Sequence, residues 1–307
     1  MAPVRSTRTP SVRGAPAPPP VWVWVLLALI VPATAFGQTP TAPPAVPVCM
    51  SPAAPPAAST YVSPKQVDLT ELLAPPPAAG SAAARRDLAA VLEAQRIART
   101  QHLREHAIAD ATTSCGRFED ALGGELTRSG TAPVLRFLNR AAQEGAAMSG
   151  APKRYWHRKR PYALDPRVER LADVAPDAPV ATTVRSACGP NAQLPSRELA
   201  ARARALGSYP SGHATFGTVC AILLAEMVPE KRRELFARGQ DYGHSRLVVG
   251  AHFPSDLEAG RIVATVAVAL MQANAQFQHD FAEARAQLRA ALGLPATAPT
   301  TSQPTVH

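Results

Sequence analysis

The spacing of apolar residues along the chain predicts helices and no strand of convincing length. Over residues 79–112 leucine, isoleucine and valine recur every three or four positions, which predicts one long amphipathic helix with Ser81 as its N-cap. A second helix is predicted over 131–148, since its proline stands where helices favour proline. Residues 151–206 are rich in proline, arginine and aspartate, which predicts loops with short helices.

The second half of the chain carries a stronger helical pattern. Residues 212–228 are apolar on nearly every side, which predicts a buried central helix. A further helix is predicted over 229–238, and residues 255–258 have the spacing of a capping box ahead of the apolar run 262–271. A more charged helix is predicted through Leu292. We therefore predict an all-α fold, a single-domain helical bundle around a buried central helix.

The N-terminal text predicts an export signal followed by a spacer. Arginines precede the apolar run 21–31, which is shorter than the roughly 20 residues that a membrane-spanning helix needs. Small residues follow, so 1–37 is predicted to be a cleaved signal peptide, with an uncleaved membrane anchor as the alternative. Residues 38–60 are predicted to be a disordered spacer rich in proline and alanine, 61–294 the folded domain, and 295–307 a disordered tail. This organisation predicts a periplasmic or secreted bacterial protein without stable membrane insertion after cleavage.

Composition narrows the class of partner only slightly. Aromatic residues make up 5% of the 307 residues, which disfavours a base-stacking platform, and no nucleic-acid partner is predicted. Removal of 1–37 takes away three arginines and no acid, which lowers the net charge from +9 to +6. This excess of positive charge is compatible with a small anionic substrate and equally with binding to an anionic surface. A homo-oligomer is left open.

The cysteines are read as a disulfide framework, because an exported protein can keep disulfides. Cys115 and Cys188 both stand beside glycine in loop-like text, and we predict that they pair. Cys220 lies in an apolar helical run and is predicted to be a buried free thiol. No Cys-x2-Cys pair occurs, so the spacing does not indicate zinc.

Two segments carry chemistry suited to an anion. The first is basic and runs from Lys153 to Arg160-Pro; alone, it would be interpreted as an interaction patch. The second, 207–213, reads Gly-Ser-Tyr-Pro-Ser-Gly-His and ends where the buried helix begins. Backbone N–H groups at Ser211 and Gly212 would attract an anion there, although an ordinary capping turn explains the same text.

A third segment supplies a histidine with an acidic neighbour. Arg246 is followed by His252 and, four residues later, by Asp256. A carboxylate at this spacing can accept the Nδ1–H of the imidazole and leave Nε2 with its lone pair outward. The alternative is that Asp256 only stabilises the N-terminus of the next helix.

Together, the three segments resemble the signature of the type 2 phosphatidic acid phosphatase superfamily. The longer text of 207–213 and 242–256 is similar to its soluble branch, the bacterial class A non-specific acid phosphatases, and the resemblance extends over about 61–292. Ala214 departs from the pattern, since that branch commonly has threonine after the motif histidine.

The resemblance implies a metal-independent acid phosphatase without cofactors, acting on small phosphate monoesters and releasing inorganic phosphate. His252 would attack phosphorus and form a phosphohistidine, oriented by Asp256, and His213 would serve as general acid and then general base. The residues implied to bind the phosphate oxygens are Lys153, Arg160, Ser211, Gly212 and Arg246.

Three other functions compete with this hypothesis. A vanadium-dependent haloperoxidase uses a similar oxyanion pocket. A non-catalytic exported anion-binding protein would need the cations but not His213 or Asp256. A membrane-embedded lipid phosphatase is disfavoured, because the apolar segment 212–228 is short and contains Glu226.

Overall fold

The computed structural model describes residues 60–171 and 207–296, all within one compact unit of the chain. These residues form helices and no strand, which confirms the all-α prediction. The predicted export signal and nearly all of the spacer and tail lie outside the described residues. The α-helices of the described ranges are α1 (Leu69–Leu72), α2 (Ala82–Ile97), α3 (Gln101–Ala109), α4 (Glu119–Leu122), α5 (Ala132–Ala147), α6 (Gly150–Trp156), α7 (Pro161–Leu164), α8 (Gly212–Met227), α9 (Arg232–Val248), α10 (Pro254–Gln272) and α11 (Ala275–Ala291).

Helix α8 is the centre of the bundle, as its uniform hydrophobicity predicts. It packs against α5, α9 and α10, and most of its side chains are buried. A helix surrounded by other helices needs apolar residues on all sides, which explains why no polar stripe appears in its sequence.

A close contact brings the start of α8 against α10. Gly260 on α10 lies against the backbone of Ser211, where a Cβ would stand 2.5 Å from the Ser211 carbonyl oxygen. The Thr215 hydroxyl donates to the Gly260 carbonyl at 3.1 Å, and the Ser211 N–H donates to the Asp256 carbonyl at 2.9 Å. Only glycine permits this approach, which draws the first turn of α10 to the N-terminus of α8.

The predicted long helix over 79–112 is in fact two helices. Ser81 caps α2 as predicted, accepting a hydrogen bond from the Ala84 N–H at 3.1 Å. The helix ends at Ile97, because Thr100 adopts the extended backbone of an N-cap residue and α3 begins after it. An apolar stripe continues through such a break, so its spacing alone does not reveal the interruption.

Two further predicted boundaries are wrong. Pro229–Lys231 is a 3₁₀ turn, and α9 continues well beyond residue 238, to Val248. Helix α10 begins at Pro254, so Ser255 lies inside the helix and is not its cap. The Asp256 carboxylate accepts the Phe253 N–H at 2.8 Å instead, which satisfies the group that precedes the helix.

Among the described residues, a disulfide joins Cys115 to Cys220, with 5.6 Å between their Cα atoms. The predicted Cys115–Cys188 bond and the predicted free thiol at Cys220 are therefore both wrong. Cys115 lies in a 3₁₀ turn that packs on α8, and Cys115 and Cys220 are both buried in the core. Disulfide pairing depends on which cysteines are close in the folded protein, and glycine residues beside a cysteine in the sequence do not reveal that. Cys188 lies outside the described residues.

Among the described helices, none has both the length and the apolar character that a membrane span requires.

Candidate active site

The last turn of α9 and the connection to α10 bring one arginine and one histidine into the same buried region. Arg246 lies in the last turn of α9, and the N–H groups of Ala251 and His252 both donate to its carbonyl, at 2.9 and 3.3 Å. Gly250 turns the chain with a φ of 73°. Its position would also bring a Cβ into contact with the Glu169 carbonyl, so glycine is needed for both the turn and the packing. The turn holds His252 directly ahead of α10.

The partners of His252 define its tautomer. Its Nε2 lies 3.0 Å from Nη1 of Arg160, and an arginine can only donate, so Nε2 is the acceptor and Nδ1 carries the proton. Nδ1 lies 3.5 Å from Oδ2 of Asp256, longer than an ordinary hydrogen bond. The predicted Asp256–His252 pair is thus adjacent, with the Nε2 lone pair directed at a cation.

Burial lowers the pKa of His252 well below its usual value, with repulsion from cations adding to the effect. The cations are Arg160, Lys153 and Arg246, in decreasing order, while the Ser208 carbonyl acts in the opposite direction. Both effects favour the neutral imidazole, which is the form that can act as a nucleophile.

Asp256 is fully buried and has more donors than its sequence position indicates. Arg158 Nη1 donates to Oδ1 at 2.6 Å, while the Ser208 hydroxyl and the Phe253 N–H donate to Oδ2 at 2.5 and 2.8 Å. These contacts hold the carboxylate plane in one orientation beside His252.

His213 lies in the first turn of α8 and faces the same region. Its Nε2 is 3.0 Å from the Ala111 carbonyl, which only accepts, so Nε2 donates and Nδ1 is left to exchange a proton. The ring stacks on Tyr242 with 6.3 Å between centroids. Burial, followed by repulsion from Arg246, lowers the pKa of His213 well below its usual value.

Lys153 and Arg160 bracket the predicted basic segment and are held by backbone carbonyls. Lys153 Nζ donates to the carbonyls of Gly207 and Pro210, at 2.6 and 2.5 Å, which ties α6 to the 207–213 turn. Burial, then repulsion from Arg160, lowers the pKa of Lys153 to about 7. Arg160 Nη1 also donates to the Ala251 carbonyl at 2.9 Å, directly beside His252.

Of the three cations, Arg246 has the fewest hydrogen bonds to offset the cost of its burial. Its side chain is fully buried, and none of its three guanidinium nitrogens has a hydrogen-bond partner among the described residues. Burial, then repulsion from Arg160, lowers its pKa to about 10. A buried guanidinium that lacks a partner is costly, which points to an anionic ligand at this position.

The start of α8 offers fewer amides to an anion than the sequence predicts. The Ser211 hydroxyl caps the helix by accepting the Ala214 N–H at 3.2 Å, and the Ser211 N–H is used by the Asp256 carbonyl. Within the described hydrogen bonds no partner takes the N–H of Gly212. The Gly212 amide and the Ser211 O–H therefore remain for an anion, and the Ser211 amide does not.

Sequence reasoning missed Arg158, Ser208 and Asp87. Arg158 and Ser208 lie within the two segments predicted to bind an anion but at positions with no assigned chemistry, and Asp87 is an acid within α2. The signal was present only as a basic cluster and a serine beside a motif. Arg158 and Ser208 contact Asp256 directly, and Asp87 binds Arg158. All three contacts are tertiary, so the sequence does not reveal them.

One group of described side chains has the arrangement of metal ligands. His106, Asp110 and Asp241 bring three ligating atoms within 4.8 Å of one another. The buried Asp110 carboxylate, however, already binds Arg117 and Arg238. Two guanidinium groups on the central carboxylate oppose a cation there.

Comparison with known proteins supports the grouping of these segments. The PAP2 superfamily model matches residues 135–279, which include every motif from Lys153 to Asp256. A non-specific acid phosphatase of Providencia stuartii is 30% identical over 224 residues, covering 71% of this chain and 80% of the relative. One of Salmonella typhimurium is 31% identical over 56% of this chain and 59% of its own length. An acid phosphatase of Zymomonas mobilis is 33% identical over 52% of this chain and 50% of its own length.

Proposed function

Since the chain belongs to the PAP2 superfamily, in its acid phosphatase branch, we propose that it hydrolyses small phosphate monoesters through a phosphohistidine at His252, without a metal ion. One observation carries the proposal: the neutral Nε2 of His252 faces a group of buried cations that includes Arg246, whose guanidinium has no partner among the described residues. A phosphoryl group would give Arg246 its missing acceptors and place phosphorus before Nε2.

In the first step, His252 Nε2 attacks phosphorus while the ester P–O bond breaks in line. Nδ1 of His213 gives its proton to the leaving alkoxide, and its Nε2–H remains on the Ala111 carbonyl. The equatorial oxygens are neutralised by the three cations Lys153, Arg160 and Arg246. Fixed positive charge at these oxygens is the main requirement of phosphoryl transfer.

In the second step, water attacks the phosphohistidine and the P–N bond breaks. The proton of the water moves to Nδ1 of His213, which left the first step neutral, and inorganic phosphate is released. His252 regains its neutral form with the proton on Nδ1, beside Asp256. Both histidines therefore return to their initial states once product leaves.

The negative charge of the bound substrate favours the protonated form of His213 that the first step needs. The lowered pKa of His213 keeps it neutral in the empty site, because burial and Arg246 both disfavour its charged form. A bound phosphate dianion counters those cations and favours the imidazolium of His213. Protonation of the general acid is thus coupled to substrate binding.

Release of inorganic phosphate from a panel of monoesters, with and without excess chelator, tests the proposal. Wild-type activity should survive chelation, and His252→Ala should lower it by more than about 10³-fold. The exposed His279 provides the control, since His279→Ala removes a surface histidine that pairs with Glu283. A phosphoryl group should be found on the peptide that contains His252.

Two outcomes would contradict the proposal. Activity that requires an added divalent metal would remove the metal-independent mechanism. Bromide oxidation with peroxide and vanadate, in the absence of phosphate release, would instead identify a haloperoxidase.

We also propose that the protein is exported to the periplasm or secreted. The apolar run 21–31 and the small residues after it support this, and N-terminal sequencing of the mature protein should find a start after Ala35 or Gly37. A mature chain that retains residues 1–30 would contradict it.

A further inference from the structure

A second carboxylate is linked to the proposed nucleophile through one arginine. Arg158 Nη1 donates to Oδ1 of Asp256 at 2.6 Å, and its Nη2 donates to Oδ2 of Asp87 at 2.8 Å. Arg158 and both carboxylates are largely or fully buried. A row of alternating charges thus runs from α2 to the first turn of α10, ending beside His252.

Arg158 is fixed from several sides. Its Nη1 also donates to the Ser255 hydroxyl at 2.7 Å, and its guanidinium lies 4.2 Å from the centre of the Phe253 ring. Asp87 in turn accepts from the hydroxyl and the N–H of Ser255. A planar guanidinium held this way fixes the plane of the carboxylate that it binds.

Arg158 and His252 both lie beside the Asp256 carboxylate and both interact with its negative charge. Arg158 is 2.6 Å from one oxygen, whereas Nδ1 of His252 is 3.5 Å from the other. An unopposed carboxylate beside an imidazole favours the imidazolium, which cannot attack phosphorus. By binding Asp256, Arg158 leaves enough negative charge to orient the Nδ1–H and too little to protonate the ring.

We propose that Arg158, anchored by Asp87, is a positioning residue that orients and partly neutralises Asp256, so that His252 stays neutral over the working pH range. This inference rests on the proposed function, because it assumes that His252 is the nucleophile. Neither Arg158 nor Asp87 touches the phosphate; both act through Asp256.

The groups that face His252 set the direction of the expected shift. Lys153 and Arg160 approach from the segment after α5, Arg246 from α9 and His213 from α8, and all disfavour the imidazolium. The opposing groups are the Ser208 carbonyl and Asp256, the one carboxylate within 4.0 Å among the described residues. Removing Arg158 leaves more of the negative charge of Asp256 to act on His252, and this should raise the pKa of His252.

The test is the ring titration of His252 by ¹⁵N NMR in phosphate-free protein, together with the pH profile of kcat/KM. Arg158→Met should raise the pKa of His252 by about one unit, and the acidic limb of kcat/KM should move upward by the same amount. Arg158→Lys keeps the charge, so its shift should be less than half as large. A merely structural role would lower stability without moving either quantity.

Matched variants separate this effect from a general loss of charge. Arg167→Met removes an exposed arginine that also pairs with an aspartate, Asp165, and should leave the titration unchanged. As a single substitution, Asp87→Ala should lower kcat/KM. Added to Arg158→Met it should cause no further loss, because Asp87 acts through Arg158. Additive losses would overturn the role assigned to Asp87.

The two proposals fail in different ways. If wild-type protein forms no phosphohistidine at His252, the proposed function fails. If it does form one and His252 titrates alike in wild type, Arg158→Met and Arg158→Lys, the positioning role of Arg158 fails alone.

Discussion

Arg246 and Arg289 are both fully buried, and their surroundings differ in kind. Arg289 on α11 donates to the two carboxylate oxygens of Glu230, at 3.0 and 2.8 Å, and to the carbonyls of Met227 and Pro295. Arg246 on α9 has three buried nitrogens that find no partner among the described residues. One arginine is compensated by the fold and the other is not.

The difference separates a structural charge from a functional one. Removing an ion from water costs several kcal/mol, which a fold recovers only through an opposite charge and hydrogen bonds. The partners of Arg289 recover this cost within the protein. Arg246 leaves it unrecovered, so the fold is strained electrostatically at the place where the proposed substrate carries its negative charge.

The largest expected effect is on catalysis and concerns Arg246. Arg246→Met should lower kcat/KM by about 10²- to 10³-fold, because it removes fixed positive charge from the transition state. Arg289→Met should keep a value close to wild type, since the hydrogen-bond partners described for Arg289 (Glu230, Met227 and Pro295) lie outside the site. Steady-state phosphate release measures both. Equal losses in the two variants would mean that burial alone, and not the lack of a partner, explains the effect.

Next in size is the stability lost with Arg289. Arg289→Met should lower the free energy of unfolding by about 3 kcal/mol, since Glu230 and two carbonyls lose their donor. Urea denaturation in phosphate-free buffer measures this change. A variant as stable as wild type would show that these hydrogen bonds contribute nothing net.

The opposite sign is expected for Arg246. Arg246→Met should raise the free energy of unfolding of the phosphate-free protein by about 2 kcal/mol, because it removes a buried charge for which the described residues offer no hydrogen-bond partner. Saturating phosphate should stabilise wild type more than the variant and reduce or reverse the difference. Destabilisation by Arg246→Met without phosphate would show that Arg246 is already compensated.

The smallest expected effect is on the pH dependence of the free energy of unfolding. Burial, followed by Arg246, holds the pKa of His213 well below 6.5. The unfolded chain therefore binds a proton that the folded chain does not, and stability falls as pH decreases below about 6.5. The loss should be about 1 kcal/mol for each such histidine between about pH 6.5 and 5.5.

The same two variants sharpen that measurement. Arg246→Met should raise the pKa of His213 toward its usual value, so thermal unfolding of this variant should depend less on pH. Arg289→Met should keep the wild-type dependence. A pH dependence that is the same in all three proteins would exclude a charge effect of Arg246 on His213.

Much of the fold could be predicted because helices leave a local signal. Helix α8 is apolar on all sides and Ser81 is a good N-cap, and both features depend on neighbours within a few residues. The break between α2 and α3 was missed, because the apolar stripe continues through it. The Cys115–Cys220 bond was missed because it joins positions 105 residues apart.

The candidate site could be predicted less evenly. The spacing of His252 and Asp256 indicates their proximity, since they are four positions apart at the start of a helix. The contact of Arg158 with Asp87 has no such signal, because the two residues belong to segments that meet only in the folded protein. Contacts within one turn are encoded locally, whereas contacts between segments depend on packing.

The order of residues along the chain alone specifies a bundle of helices and the side chains available to the site, which are two histidines and three cations in segments typical of one family. Packing of the helices then set the environment of each side chain. It buried Arg246 with no hydrogen-bond partner among the described residues, placed Arg158 against Asp256, and directed Nε2 of His252 toward Arg160. The physical reason is that the energy of a charge depends on burial and on neighbours from distant segments, and neither exists before the helices pack.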